Sequence, residues 1–103
     1  VELHAGAYCD AVSEGRQKDS VTELLRIQNA AKYAVQIGLE CHAGHGLGFD
    51  SVGAIAEIPE IAELNIGHFL VGEAIFGGLD SAIKRMRALM DQARAEATGS
   101  RSA

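Results

Sequence analysis

The chain has 103 residues, of which 48% are hydrophobic and 22% charged, a balance that fits one folded domain and excludes a disordered chain. The formal net charge of −5 leaves no basic surface for neutralising phosphates, so we predict no nucleic-acid partner. Apolar runs are too short to span a bilayer, and no signal peptide opens the chain, so we expect no membrane association and a cytoplasmic location. Cys9 and Cys41 are too few for a disulfide framework.

The first third of the chain is predicted to hold a strand and a long helix. Residues 1–4 alternate apolar and polar side chains, which is the period of a strand. A polar loop is predicted to follow, as far as Ser20. Ser20, with Glu23 three residues later, forms a capping-box pattern for a helix that runs to Ile37 and ends before Gly38.

The rest of the chain continues the alternation of strands and helices. The predicted order is a strand at 39–43, a helix at 50–58, a strand at 63–66, a helix at 67–76 and a helix at 80–97. Pro59 and the pair Gly77-Gly78 act as helix breakers. The last helix is amphipathic, and its inward side chains are predicted to be Ile83, Met86, Leu89 and Met90. Residues 98–103 are small and polar and form a predicted flexible tail.

This order predicts an α/β fold with a parallel sheet and right-handed crossovers. Each strand has an apolar face and a polar face, the latter formed by Glu2 and His4, Glu40 and His42, and Glu63 and Asn65. An open sheet covered by helices on both faces would have strands that are apolar throughout. Polar residues on one face fit the inside of a (β/α)8 barrel better. The alternative is a small sheet with one solvent-exposed face. We therefore expect residues 1–97 to be the C-terminal three βα units of a TIM barrel, incomplete in this chain, which begins inside a strand and continues a longer protein.

Two glycine turns are candidates for binding a phosphate. Gly67-His68 leads from a strand into a short helix, and Gly46 follows the preceding strand. Barrel enzymes often hold a phosphate at such a helix start, where free amides and the helix dipole attract an anion. The alternative is structural: Gly67 makes a tight turn and His68 caps the helix.

The candidate catalytic groups are an imidazole and a carboxylate. His45 lies between two glycines just past a strand end, where it could act as a general acid or base or be an ordinary surface residue. Glu2 points inward, which is costly unless the carboxylate is paired or used, so it either steadies a cationic intermediate or joins a structural network. A zinc site is a further alternative, but no tight ligand spacing supports one from His4, His42, His45 and His68.

Four stretches, in this order, resemble the C-terminal part of the pyridoxine 5′-phosphate synthase family: 2–6 (ELHAG), 43–47 (AGHGL), 58–60 (IPE) and 63–68 (ELNIGH). That family closes the pyridine ring in the deoxyxylulose-dependent route to vitamin B6. The resemblance implies that the segment supplies strands six to eight of a TIM barrel. It also implies two phosphorylated substrates, 1-deoxy-D-xylulose 5-phosphate and 3-amino-2-oxopropyl phosphate, condensed to pyridoxine 5′-phosphate, phosphate and water.

The resemblance also implies roles for individual residues. His45 matches the family's proton donor, and Glu2 matches its transition-state-stabilising carboxylate. Gly46, Gly67 and His68 match residues that hold the aminooxopropyl phosphate. No metal or organic cofactor is implied, and the family assembles as a homo-oligomer. The family's general bases lie on earlier strands, so we expect this chain to be inactive without them.

Two other functions stay open from the sequence. One is a non-catalytic phosphate-binding or scaffold fragment that associates with another chain through its exposed strand edges. The other is a different phosphate-handling barrel, an isomerase or an aldolase. A Schiff-base aldolase is disfavoured because the three lysines fall in a loop or in helices, at Lys18, Lys32 and Lys84.

Overall fold

The computed structural model describes residues 1–102. For His68, Val71, Gly72, Ala74, Phe76 and 98–102 it describes the backbone alone. Its elements, in chain order, are β1 (Glu2–His4), α1 (Gly6–Ser13), α2 (Gln17–Gln36), β2 (Cys41–Gly44), α3 (Val52–Ala56), β3 (Ile61–Asn65), α4 (His68–Gly77) and α5 (Leu79–Ser102). The three strands form one parallel sheet in the order β1-β2-β3. The predicted α/β architecture with parallel strands is confirmed.

The register of the sheet confirms the predicted split between a polar and an apolar face. Glu2 pairs with His42 and His42 with Glu63, while Leu3 pairs with Ala43 and Ala43 with Leu64. Side chains alternate along a strand, so the polar residues fall together on one face. The apolar face packs against buried residues of the helices, among them Ile27, Ala31 and Ile55, and against Leu47 of the loop after β2.

A helix, α1, occupies the region where the sequence predicted a polar loop, so that prediction was wrong. Tyr8, Cys9 and Ala11 are buried on one side of α1, and Tyr8 and Cys9 join the core with Ile27 of α2. The polar residues Asp10 and Glu14 obscured this pattern in the sequence. Burial of the apolar side of α1 supplies the stabilisation that its local sequence does not.

The long helix α2 begins before the predicted cap. Arg16 takes the N-cap position, and its guanidinium contacts both Glu14 and Asp19 at 2.7 Å. Ser20 lies inside the helix, where its hydroxyl donates to the Gln17 carbonyl at 2.8 Å. Glu23 forms an ion pair with Arg26 and no capping box. The predicted capping box was therefore wrong, because the helix begins upstream of it, at Gln17, and Ser20 lies within the helix.

The end of α2 is as predicted. Gly38 has a left-handed φ of +84°, which an L side chain rarely adopts. Its N–H donates to the Val35 carbonyl at 3.0 Å, and the Leu39 N–H donates to the Ala34 carbonyl at 2.9 Å. These two bonds form a Schellman motif and satisfy carbonyls that the helix end would otherwise leave open.

The last helix, α5, is longer than the predicted helix at 80–97. The predicted flexible tail, 98–103, has its side chains and all of Ala103 outside the described residues, and it stays a prediction. Met86 is buried and Leu89 and Met90 are half-buried, as expected, but Ile83 is exposed. The inward face follows Ala82, Met86 and Ala93, and Ile83 lies about 100° away from Ala82 around the helix. Within residues 1–102, no helix combines the length and the hydropathy needed to cross a bilayer.

Replacing Gly38 with alanine tests the helix end. The added Cβ has open space, so only the backbone at φ +84° opposes it. We expect Gly38→Ala to lower the free energy of unfolding of the native protein by about 1 kcal/mol. The matched control is Gly53→Ala in α3, which also has open space but no positive φ. The control should be neutral or stabilising in urea denaturation, and equal effects of the two variants would contradict this account.

Candidate active site

A cleft of about 460 Å³ lies at the carboxyl ends of β2 and β3, and it also includes Glu2, the first residue of β1. Its lining combines residues of β1, of β3, of the loops after β2 and β3 and of α4: Glu2, His45, Gly46, Leu47, Asn65, Ile66, Gly67 and Phe69. Four of the five predicted site residues, Glu2, His45, Gly46 and Gly67, therefore line the same cleft. Parallel strands end at one edge of a sheet, which is why residues far apart in sequence meet there.

Two larger clefts lie elsewhere. One, of about 700 Å³, lies at the amino ends of the strands between α2 and the loop before β3, and Gln28, Lys32 and Glu60 are part of its lining. The other, of about 670 Å³, lies between β3 and α5. We place the candidate site in the smaller cleft because the predicted chemical groups converge there.

Gly44 controls how the carboxylate of the site is held. Asn65 on β3 donates a hydrogen bond from Nδ2 to Oε1 of Glu2 on β1, across the middle strand. A Cβ on Gly44 would lie 3.0 Å from the Asn65 Cβ and 3.1 Å from the Glu2 Oε1. The two outer strands can therefore exchange this bond only because the middle strand has no side chain at that position. The bond fixes the Glu2 carboxylate at the edge of the cleft.

His45 lies in a backbone conformation that is unusual for a residue with a side chain. Its φ is +79°, and Gly46 beside it has a φ of +87°. Such values cost energy in non-glycine residues and recur at functional sites. The imidazole is exposed, and its ring stacks against the ring of His4, with centroids 4.1 Å apart and planes tilted by 31°. The loop thus presents the imidazole at the mouth of the cleft.

The loop after β2 is held by a buried hydroxyl and an aromatic pair. Ser51 is 1% exposed, and its Oγ accepts a hydrogen bond from the Gly48 N–H at 3.0 Å. The rings of Phe49 and of Phe69 in α4 pack edge to face, with centroids 4.6 Å apart. The guanidinium carbon of Arg85 lies over the Phe49 ring, 4.1 Å from its centroid. Sequence reasoning missed these residues. The sequence signal that could have found the aromatic pair is a phenylalanine shortly after a glycine in each loop, Phe49 after Gly48 and Phe69 after Gly67.

Gly67 and His68 stand at the start of α4, as predicted. Gly67 is the last residue before the helix, and a Cβ there would meet no atom within 4 Å. The first turn of α4 borders the cleft, since both Gly67 and Phe69 line it. The side chain of His68 lies outside the described residues, so only its backbone position can be reported. Its role in binding phosphate stays a prediction.

The other polar residues of the sheet form a separate network. His42 contacts Glu40 through Nε2 at 2.8 Å and Glu63 through Nδ1 at 3.1 Å. This network is the structural alternative predicted for most of these side chains. In the part of the chain that the structure describes, no three His, Cys, Asp or Glu side chains converge as metal ligands would.

The two cysteines are buried thiols. Burial raises the pKa of the Cys9 thiol; a hydrogen bond with Ser51 lowers it, and the nearby Asp50 and Asp10 raise it. Burial also raises the pKa of the Cys41 thiol. A thiol of raised pKa stays protonated at neutral pH and is a poor nucleophile. These properties fit the reading of both cysteines as ordinary core residues.

Comparison with known proteins decides the family. Residues 1–92 match the family model described as "Pyridoxal phosphate biosynthesis protein PdxJ". The chain belongs to the PdxJ family. The resemblance recognised in the four sequence stretches is confirmed.

Curated relatives of this chain are named pyridoxine 5′-phosphate synthase. The protein of Caulobacter sp. (strain K31) is 58% identical over 96 residues, which are 93% of this chain and 38% of the relative. The protein of Rhodospirillum rubrum is 61% identical over 93 residues, which are 90% of this chain and 36% of the relative. The chain therefore spans somewhat more than a third of the length of these relatives.

Replacing Gly44 with alanine tests the packing of the site. The new Cβ would push Glu2 and Asn65 apart, so we expect the bond between them to be lost. We also expect the free energy of unfolding to fall by about 1–3 kcal/mol, the usual cost of overpacking. Urea denaturation and a crystal structure of the variant native protein measure both effects, with Gly53→Ala as the control. Unchanged stability together with an intact Glu2–Asn65 hydrogen bond would show that this bond does not require a glycine at position 44.

Proposed function

We propose that the native protein carrying this chain is a pyridoxine 5′-phosphate synthase. It would condense 1-deoxy-D-xylulose 5-phosphate with 3-amino-2-oxopropyl phosphate to pyridoxine 5′-phosphate, phosphate and water. The observation that carries the proposal is the cleft shared by Glu2, His45, Gly46 and Gly67, beside the carboxyl ends of β2 and β3. Membership of the PdxJ family supports it.

In this proposal His45 is the proton donor. The condensation expels water, and a hydroxyl group leaves as water only when it receives a proton. An exposed imidazole at the mouth of the cleft can donate that proton and then take up another proton from solvent. The flanking glycines, Gly44 and Gly46, let the backbone come close to a bound substrate.

Glu2 is the proposed transition-state stabiliser. An amine that condenses with a ketone passes through species with positive charge on nitrogen. A fixed carboxylate lowers the energy of such species, provided that its position is set before the reaction. The hydrogen bond from Asn65 supplies that fixation.

The phosphate of 3-amino-2-oxopropyl phosphate is proposed to bind at Gly46, Gly67 and His68. The first backbone amides of α4 have no partner within the helix and can donate to phosphate oxygens, with the helix dipole in support. The open space around Gly67 leaves room for the anion to approach the backbone. We propose no metal or organic cofactor for the reaction.

The chain spans 38% of the length of its Caulobacter relative, and we propose that the complete site includes residues beyond this chain. We propose that it supplies strands six to eight of a TIM barrel and that it has no synthase activity without the preceding strands. Assembly as a homo-oligomer and a cytoplasmic location also stay predictions.

A scaffold or phosphate-binding fragment without catalysis is the second candidate. The observation that favours it is the row of exposed apolar side chains on α2, which includes Val21, Leu25 and Tyr33. Such side chains on a helix surface can serve association with another chain.

Replacing His45 in the native protein separates the two candidates. Asparagine tolerates a positive φ better than most residues, so His45→Asn removes the proton donor while keeping the backbone. We expect kcat to fall by about 10²–10⁴-fold, with KM changed far less. The matched control is His42→Asn, which removes a histidine on the same sheet whose ring is already paired with Glu40 and Glu63.

The control should retain most of the turnover. A His45→Asn protein that turns over like wild type would contradict the proposed role, and an effect confined to substrate affinity would favour the binding fragment. The same assay applied to the 103-residue chain alone should give no product. Turnover by that chain would contradict the proposal that the earlier strands are required.

A further inference from the structure

His4 and His45 form a stacked pair, and the proposed chemistry uses His45 but assigns no role to His4. His4 is the last residue of β1, and His45 lies in the loop after β2. Their ring centroids are 4.1 Å apart and their planes are tilted by 31°, so the faces of the rings meet. Aromatic rings attract one another in this range of distances.

His4 is held in place independently of His45. Its Nδ1 accepts a hydrogen bond from the Gly6 N–H at 3.4 Å, and its carbonyl accepts one from Arg26 at 3.0 Å. Arg26 is in turn fixed by Glu23 at 2.7 Å. A Cβ on Gly6 would lie 2.8 Å from the His4 Cε1 and 3.2 Å from the His45 Cδ2. Glycine at position 6 therefore leaves the space in which the two rings stack.

The cleft is lined by His45 and not by His4. One ring thus borders the space proposed for the substrate, while the other supports it from outside that space. The support matters because His45 is exposed and flanked by two glycines, so its side chain has few other constraints. A catalytic group that is free to rotate spends less time in the reactive geometry.

We propose that His4 is a positioning residue, which holds the His45 imidazole in the orientation for proton transfer by stacking against it. This inference rests on the proposed role of His45 as proton donor. It assigns His4 no contact with substrate and no part in moving the proton. The contribution comes from the ring face, so another flat ring should replace it.

The test measures kcat and KM of the native protein with His4→Ala and His4→Phe, each in the wild-type and in the His45→Asn background. We expect His4→Ala to lower kcat roughly three- to tenfold with little change in KM, the range expected for one aromatic pair. His4→Phe keeps a ring face and should restore most of the turnover. In the His45→Asn background, His4→Ala should cause no further loss, because the group that it positions is gone.

The outcomes distinguish this inference from the proposed function. If His45→Asn leaves turnover intact, the role of His45 fails and the inference fails with it. If His45→Asn abolishes turnover but His4→Ala does not change kcat, only the inference fails. An equal loss from His4→Ala in both backgrounds would also overturn it, since that result describes a structural role.

A second variant covers the case in which His4→Ala does not fold. Glutamine has a similar length but no ring, so His4→Gln should lower kcat as His4→Ala does while His4→Phe does not. Thermal unfolding of each variant verifies that the folded protein is compared. Equal turnover of His4→Gln and His4→Phe would overturn the inference, because stacking would then contribute nothing.

Discussion

The candidate site depends on one constraint, the absence of a side chain at Gly44 in the middle strand. That gap lets Glu2 and Asn65, which belong to the two outer strands, meet across β2. The same short stretch leads directly into His45, whose positive φ turns the loop toward the cleft. The Glu2 carboxylate and the His45 imidazole are more than 40 residues apart in the sequence. They border one cleft because β2 ends in the small residues Ala43 and Gly44.

Much of this arrangement could be predicted from the sequence. The alternation of polar and apolar side chains along the three strands predicts the two faces of the sheet. The observed register pairs polar residues with polar residues and apolar with apolar, so each face keeps its character across the strands. The glycines around His45 and before His68 mark the two loops that border the cleft. Gly38 predicts the end of α2 because few other residues accept its φ of +84°.

What the sequence did not predict depends on contacts between distant elements. α1 was missed because its stability comes from burying Tyr8 and Cys9 in a core shared with α2 and not from local signals. The local capping pattern at Ser20 was misleading because the helix begins three residues upstream, at Gln17. The stacking of His4 on His45 could not be predicted, because it requires the strand register and the loop conformation together.

The most direct test of the proposed site is a crystal structure of the native protein with bound 3-amino-2-oxopropyl phosphate. The account predicts phosphate oxygens within about 3 Å of the first backbone amides of α4, beside Gly67. It also predicts that the rest of the molecule lies between His45 and Glu2. A phosphate bound instead at the amino ends of the strands, in the larger cleft beside Gln28 and Lys32, would contradict it.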